Sequence, residues 1–482
     1  MSRQNYHEKK EKMTNSAPFE IPTGQRQLFL DDHGIATIGD LTRTMHQPAK
    51  KGAVIRPNTE IGEISLQTRS VPAWDPEAGV FKLWMITSGL WSGMTYAESK
   101  DGIHWTKPIL RQKEFDGSLE NNIMTMDPTR EWPGNALMII VYDPDDKDPS
   151  RRFKGFAHCY NREPVVSPDG IHWTNLDVPT IPSKDESNLS YDPLTRIFIA
   201  TLKENGPNGR SHGIWTSKNF ENWTRLDNIF HADDLDQKLG LKHIKARFAD
   251  PMLQQPVADE PSRYNVDVYN MGVFRYESLY IGTPALFHST GPSEDGTNTD
   301  GFHLVQLICS RDLQNWKRLG DRQTFIGPSK LDSGAYDLTQ ILGPSNAIVR
   351  GDELLFYYTG IKYRSRPANP DIDAGAICLA VLRRDGFISL DAGEQPGTLS
   401  TQPFELSGTK LVVNLDATEG SLTVEALDDA GSVVAASAEL TGDLPQGEVA
   451  WTAGSLAELQ GKHVRLRFTL RNGSLYSYWI EE

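Results

Sequence analysis

The chain has 482 residues, 38% of them hydrophobic and 23% charged, with a formal net charge of −15. That acidity argues against a nucleic-acid or anionic-membrane surface, which needs clustered Lys and Arg. No apolar run approaches the ~20 residues of a membrane span, and this length is expected to divide into one large domain and a smaller one.

In chain order, residues 1–20 are polar and charged without an apolar centre, which reads as a disordered lead-in rather than a secretory signal. Gln27-Leu28-Phe29-Leu30-Asp31-Asp32 reads as a strand ahead of the first repeat. It is expected to help close a ring of sheets, because open strand edges are avoided.

A short phrase then recurs. It reads Ser99-Lys-Asp101-Gly102-Ile-His-Trp105, Ser167-Pro-Asp169-Gly170-Ile-His-Trp173, Ser217-Lys-Asn219-Phe-Glu-Asn-Trp223 and Ser310-Arg-Asp312-Leu-Gln-Asn-Trp316. A fifth, degraded copy is Arg383-Arg-Asp385-Gly386-Phe-Ile-Ser389. Asp or Asn at the third position hydrogen-bonds the backbone two residues on, Gly relaxes the turn, and Trp buries on the next strand. Each phrase is therefore a hairpin corner, and its recurrence marks one supersecondary unit stacked on copies of itself. Ahead of the corners the same grammar repeats: an alternating strand, a tight turn such as Asp75-Pro76, Asp192-Pro193 or Gly351-Asp352, and an aromatic-rich second strand.

Short strands with period-2 patterning and turn chemistry are those of four-stranded propeller blades. The five blades are expected at about 60–110, 118–178, 183–230, 262–322 and 335–392. The tryptophans are unevenly spaced, closest between Trp173 and Trp223 and furthest between Trp223 and Trp316, so long loops gather on a rim where function sits. From Thr401 onward six alternating strands read as a small β-sandwich. The expected fold is all-β, with a lead-in over 1–20, a five-bladed β-propeller over 21–400 and a C-terminal β-sandwich over 401–482. Cys159, Cys309 and Cys378 lie in apolar or strand-like stretches without metal-ligand spacing, which reads as buried thiols in a reducing, cytoplasmic setting.

A five-bladed propeller with S-x-D-x-x-x-W corners followed by a β-sandwich resembles the glycosidase superfamily of glycoside hydrolase families 32 and 43. Leu28-Phe-Leu-Asp-Asp32, Tyr357-Tyr358-Thr-Gly360 and Leu475-Tyr476-Ser477 with Trp479 are similar to an uncharacterised branch of family 32. The resemblance implies an O-glycosyl hydrolase acting on a small glycoside or oligosaccharide, a furanoside among the options. The chain lacks the Trp-Met-Asn-Asp-Pro-Asn, Arg-Asp-Pro and Glu-Cys phrases of the invertases, so no catalytic residue transfers by motif.

Glycoside cleavage needs one carboxyl group to protonate the leaving oxygen and a second to act as base or nucleophile. In a propeller these belong at the starts of the inner strands that line the funnel. Asp185, Asp267, Glu277 and Asp337 meet that rule, and Asp32 on the leading strand joins them as a catalytic candidate. Glu277, among Tyr276, Leu279 and Tyr280, is expected in an apolar setting suited to a general acid. Glu63, His46, Trp91, Asn122, Glu186, Tyr264, Gln340 and Lys362 are expected to bind sugar by stacking or hydrogen bonds.

The histidines show no zinc spacing, so no catalytic metal or cofactor is expected; a structural Ca²⁺ is left open. The expected partner is a carbohydrate, with no nucleic acid or membrane, and a homo-oligomer stays open. Two alternatives stand beside hydrolysis. One is phosphorolysis, with Arg69, Arg151, Arg152 or Lys362 holding phosphate. The other is a propeller that binds carbohydrate without cleaving it.

Overall fold

The computed structural model describes residues 19–126, 136–293, 296, 298–364 and 373–482. The lead-in expected over 1–20 lies outside these except for its last two residues. Among the described residues the chain is all-β apart from one α-helix and short 3-10 turns, and it forms two compact units. One unit spans Arg43–Ser389; the other joins the stretch through Thr42 to Leu390–Glu482.

The larger unit is a series of antiparallel meanders, and in the first four the repeated corner lies between later strands. The first runs through Glu63–Gln67, Val80–Gly89, Gly93–Ser99 and Trp105–Thr106. Ile123–Met124 pairs back onto its third strand, so this meander reaches beyond the expected limit of 110. The second comprises Leu137–Tyr142, Phe153–Ala157, Glu163–Ser167 and Thr174–Asn175. The third comprises Ser187–Asp192, Ile197–Gly206, Gly209–Ser217 and Thr224–Phe230. The fourth is built on the long hairpin Asn265–Tyr276 and Leu279–Pro292, and the fifth on Gln340–Leu342, Glu353–Ile361 and Gly375–Arg383.

The corners are built as their residue types require. In the first, Asp101 Oδ1 accepts from the amides of Ile103 and His104, each at 2.8 Å, and Trp105 Nε1 donates to Gly102 O at 3.1 Å. The fourth corner repeats this, with Gln314 and Asn315 amides on Asp312 Oδ1 at 2.8 and 2.7 Å. The position after the Asp or Asn is left-handed in all four: Gly102 at φ 74°, Gly170 at 78°, Phe220 at 65° and Leu313 at 63°. Phe and Leu there accept a backbone conformation that glycine takes freely, and both side chains are buried. In the degraded fifth copy Asp385 is itself left-handed and fully buried, and it accepts a 2.6 Å hydrogen bond from Tyr276 of the fourth meander.

Apolar faces join the meanders in sequence. Trp84 and Tyr96 of the first pack with Phe153 and Trp173 of the second. Phe156 of the second packs with Phe198 and Phe220 of the third, and Ile199 and Ile214 of the third with Val266 and Val268 of the fourth. Tyr269 and Phe287 of the fourth meet Leu342, while Leu355 and Tyr357 of the fifth pack on Leu66 and Leu83 of the first. Hydrogen bonding also merges the fifth and first into one eleven-stranded sheet through a single parallel bridge, Gly375 to Ser65, so the sheets do not themselves delimit five separate blades.

The meanders also meet through small polar side chains. Thr68 N donates to Thr359 Oγ1 at 2.9 Å, Ile140 N to Ser70 Oγ at 2.9 Å, and Asn188 Nδ2 to Ser345 Oγ at 2.7 Å. Side-chain bonds of this kind satisfy buried polar groups where strands converge without a shared ladder. At Gly272 a β-carbon would lie 1.9 Å from Pro344 O, so only glycine permits the approach of these two segments.

The strand expected to close the ring lies elsewhere. Gln27–Leu28 pairs with Gly473–Glu481, and Phe29 stacks on Tyr478 at 6.2 Å, both in the smaller unit. It is Ala49–Ile55 that adds to the fifth meander, antiparallel to Gly375–Arg383. The smaller unit therefore draws on residues on both sides of the larger one, and its core includes Phe19, Ile21, Leu390 and Leu399 with Phe404 and Phe468. Its boundaries thus differ from 401–482, because residues 390–400 and the stretch through Thr42 share that core.

One helix, Asp234–Ala249, fills part of the long interval between Trp223 and Trp316. Asp233 and Asp236 form a reciprocal capping box at its start. Gly240 lets it lie against Val266, and Gln237 bonds both the amide and the carbonyl of that residue. The helix thus braces the start of the fourth meander's first strand. Among the described residues no helix is long and apolar enough to cross a membrane.

Candidate functional site

The starts of the third and fourth first strands bring acids, cations and aromatic rings together. Asp185 and Glu186 precede Ser187–Asp192, and strand alternation sends neighbouring side chains to opposite sides. Glu186 turns to the first meander, where Arg69 grips it with Nε at 2.6 Å and Nη2 at 2.5 Å. Both side chains are about 95% buried, so each charge depends on the other. Asp185 turns to the second strand of its own sheet and pairs with Lys203 at 3.0 Å. Burial would raise the Asp185 carboxyl, but Lys203, with Arg69 and Arg162 behind it, outweighs that and holds it below the usual range.

Lys203 and His212 are cross-strand partners, as are Asn205 and Arg210, so Lys203, Arg210 and His212 share one face of the third sheet. Arg210 Nε donates to Asp267 Oδ2 at 2.8 Å. Gly209, at φ 111°, leaves room for this carboxylate, which a β-carbon there would approach within 2.9 Å.

Tyr269, two residues beyond Asp267, collects the cations. Lys203 lies 5.2 Å from its ring centre, Arg210 4.8 Å and Arg364 5.1 Å. Arg210 and Arg364 also lie 4.6 Å from the Phe287 ring. His303 packs edge-on to Tyr269 at 4.7 Å and tilted to Phe287 at 5.0 Å, fully buried. Burial, reinforced by Arg364 and Arg210, pushes its pKa well below the ordinary imidazole value, so it is neutral. His212 is likewise pushed down to about 3 by burial and by Lys203.

Three acids are met by three cations, and two further cations remain. Arg162 is fully buried and donates to Ser187 Oγ at 3.0 Å and to the carbonyls of His158 and Asp185; burial lowers its pKa to about 10. Arg364 donates to Thr299 O at 2.9 Å and Asn298 Oδ1 at 3.1 Å. Among the described residues neither pairs with a carboxylate. Asp267 Oδ1 and both ring nitrogens of His303 and of His212 are buried without a hydrogen-bond partner among the described residues.

The other sequence candidates are held by other partners, and Gln340 lies in the strand whose Leu342 meets Tyr269 and Phe287. Glu277 sits at the turn of the hairpin that begins near Asp267, at φ 51°. Ten extended residues separate the two, about 33 Å, so Glu277 does not face the start of the strand as expected. Asp32 belongs to the smaller unit, in the turn where Asp31 accepts from His33 N. Asp337 is buried but tied to Lys50 at 2.7 Å and Tyr358 at 2.9 Å, on the outer and second strands of the fifth meander.

Glu63 is bound by Lys107 and by the Asn58 amide, which fixes the turn before its strand. His46 bonds Ser389 Oγ at 2.7 Å, and Asn122 donates to Tyr96 O at 2.9 Å. Trp91 donates to Ile61 O at 2.6 Å and stands 6.2 Å from Phe115. Tyr264 bonds Asp259, while Lys362 pairs with Asp373 and lies 4.2 Å from Tyr336. Gln340 is buried in the first strand of the fifth meander. Of the substrate-binding candidates, Glu186 is bonded into the group around Tyr269 and Arg69.

Sequence reasoning passed over Arg162, Lys203, Arg210, Arg364, Tyr269, His212 and His303 as site residues. A usable signal was present in the third sheet: Lys203 and Asn205, then Arg210 and His212, interrupt apolar strands at the alternate positions of one face. For Arg364 and His303 the sequence offers no comparable pattern.

No family model matches the chain, and no curated protein matches it. Its structure resembles those of glycoside hydrolases. Fructan 1-exohydrolase IIa from Cichorium intybus matches at 10% identity over 91% of this chain and 98% of its own, with a TM-score of 0.39. The catalytic domain of the Coprinopsis cinerea GH62 α-L-arabinofuranosidase matches at 11% identity over 70% of this chain and 97% of its own, with a TM-score of 0.40. An N-acetylgalactosamine deacetylase from F. plautii, solved with blood group B trisaccharide, matches at 12% identity over 72% and 97%, with a TM-score of 0.38. Similarity at this level assigns no residue of this chain a role.

Proposed function

We propose that the chain is a glycosidase on a five-bladed propeller, cleaving a small glycoside or oligosaccharide at the group of residues around Tyr269. The observation that carries this reading is the meeting of acids from two different first strands at one aromatic ring: Asp185 reaches Tyr269 through Lys203, and Asp267 through Arg210. Asp185, held ionised, supplies the base or nucleophile. Asp267, with Oδ2 on Arg210 and Oδ1 buried without a described partner, supplies the second carboxyl group that the cleavage needs. Glu186 holds Arg69 and shapes the wall beside them. The proposal invokes no cofactor, and three buried cysteines that form no disulfide suit a reducing, cytoplasmic setting.

The test is turnover of a panel of aryl pyranosides and furanosides by the purified chain, with and without phosphate. Asp185→Asn and Asp267→Asn are each expected to lower kcat/KM by about 10²- to 10⁴-fold on the substrate found, with circular dichroism establishing that each variant is folded. Full activity in both variants would remove these residues from the chemistry. The ion pairing of all three acids favours a second reading, a propeller that binds sugar without cleaving it. Saturable sugar binding with no turnover of any glycoside in the panel would establish that one instead.

A further inference from the structure

The residues around Tyr269 carry more positive charge than their own carboxylates neutralise. Lys203 and Arg210 have Asp185 and Asp267, but Arg364 reaches only a carbonyl and an amide oxygen among the described residues. Arg162, fully buried behind Asp185, likewise donates only to neutral oxygens. For Arg162, which is fully buried, the lack of a counter-charge is costly; Arg364 is half-buried and keeps its guanidinium open to a further partner. Arg364 also borders a small cavity with Gln254, Thr339 and Asp300. Asp300 Oδ2 is taken up there by the amides of Val257 and Ala258.

The second, independent observation is His303. It is fully buried between Tyr269 and Phe287, and neither ring nitrogen has a partner among the described residues. A neutral imidazole keeps one N–H to donate, and that donor sits beside two guanidinium groups stacked on the same two rings. Two planar cations and a donor gathered around the same two rings match the oxygens of an anion, which accept several charge-assisted bonds at once.

We infer that Arg364, Arg210 and His303 form an oxyanion site within the proposed active site, receiving a carboxylate, sulfate or phosphate group. The anion is borne by the sugar or enters as free inorganic phosphate; the ligand chemistry is the same. The inference takes its sugar context from the glycosidase reading, but its charge argument stands on the residues alone.

The experiment is titration calorimetry on the full chain with sodium sulfate, sodium phosphate, sodium glucuronate and glucose, at ionic strength matched with sodium chloride. At least one of the three anions is expected to bind about tenfold or more tightly than glucose. Arg364→Met is expected to weaken that anion about ten- to a hundredfold, and Arg364→Lys, which keeps charge without the planar fork, to fall between. Circular dichroism and the ligand-free thermal midpoint establish that each variant is folded.

No preference for any anion over glucose overturns the inference, as does unchanged affinity in both Arg364 variants. Glycoside turnover that requires phosphate supports the site with free phosphate as its source. Turnover of a glucuronide or sulfated glycoside without phosphate supports it with the sugar as source. Anion binding without turnover of any glycoside would leave the oxyanion site standing and remove the hydrolase; turnover of neutral glycosides without anion binding would do the reverse.

Discussion

The acids of the corners and the acids around Tyr269 are the same residue types in opposite surroundings. Asp101, Asp169 and Asp312 sit at exposed turns and are satisfied by amides two and three residues on. Glu186 and Asp267 are buried, and their partners Arg69 and Arg210 lie far away in the chain. A corner acid is therefore defined by its own heptad, and removing it disturbs one hairpin. A buried acid is defined by a distant cation, and removing it leaves that cation stranded.

That contrast sets the order of effects. Glu186→Ala is expected to cost about 3–5 kcal/mol of unfolding free energy, because Arg69 would stay buried and unpaired. Urea unfolding of Glu186→Ala, Arg69→Met and the double variant Arg69→Met with Glu186→Leu measures it. The double variant should recover much of the loss, and a double as unstable as the sum of the singles would show the pair is not coupled.

Asp312→Ala, which strips two amide bonds from an exposed turn, is expected to cost only about 1 kcal/mol. Asp312→Asn should cost about 0.5 kcal/mol or less, since Asn219 already builds the third corner with the same amide pattern. An Asn variant as damaged as the Ala variant would show that charge, not geometry, holds the corner.

The smallest effect is in pH. Burial would raise the Asp312 carboxyl, but the amides and side chain of its own corner outweigh it and hold it to about 2. A carboxyl depressed in the folded state contributes stability above its unfolded pKa of about 3.9 and loses it as pH falls toward the folded value. Thermal midpoints measured from pH 5 down to pH 2 should fall slightly less in Asp312→Asn than in the parent. Equal slopes would mean that this carboxyl has no part in the acid response.

The same contrast explains what was legible in the sequence. Corners, tight turns and strand alternation are written within a few neighbouring residues, so the repeated units and the starts of their first strands were readable. Counting from those corners placed Asp185, Glu186 and Asp267 at the starts of first strands, where the structure has them. Glu277 was misplaced because its count took a hairpin turn for a strand start, while Asp337 does precede the fifth meander's first strand and nothing beside it names Lys50 as its partner. The cations went unread for the same reason: Arg69 and Glu186 become neighbours only when separate meanders pack. The helix left a local trace, Asp233 three residues before Asp236, but the regular strand pattern on either side of it drew the interval into a loop.

The pairing of Ala49–Ile55 with Gly375–Arg383 ties folding to the order of synthesis. The segment made early must stay unpaired until nearly the whole of the larger unit has emerged, and contacts between such distant residues form slowly. During that wait it is a bare edge, open to the wrong neighbour. Lys50 and Lys51 place two charges on it, which discourages premature pairing, and in the finished fold Lys50 lies against the buried Asp337. A charge that protects the waiting strand thus becomes the latch that holds it.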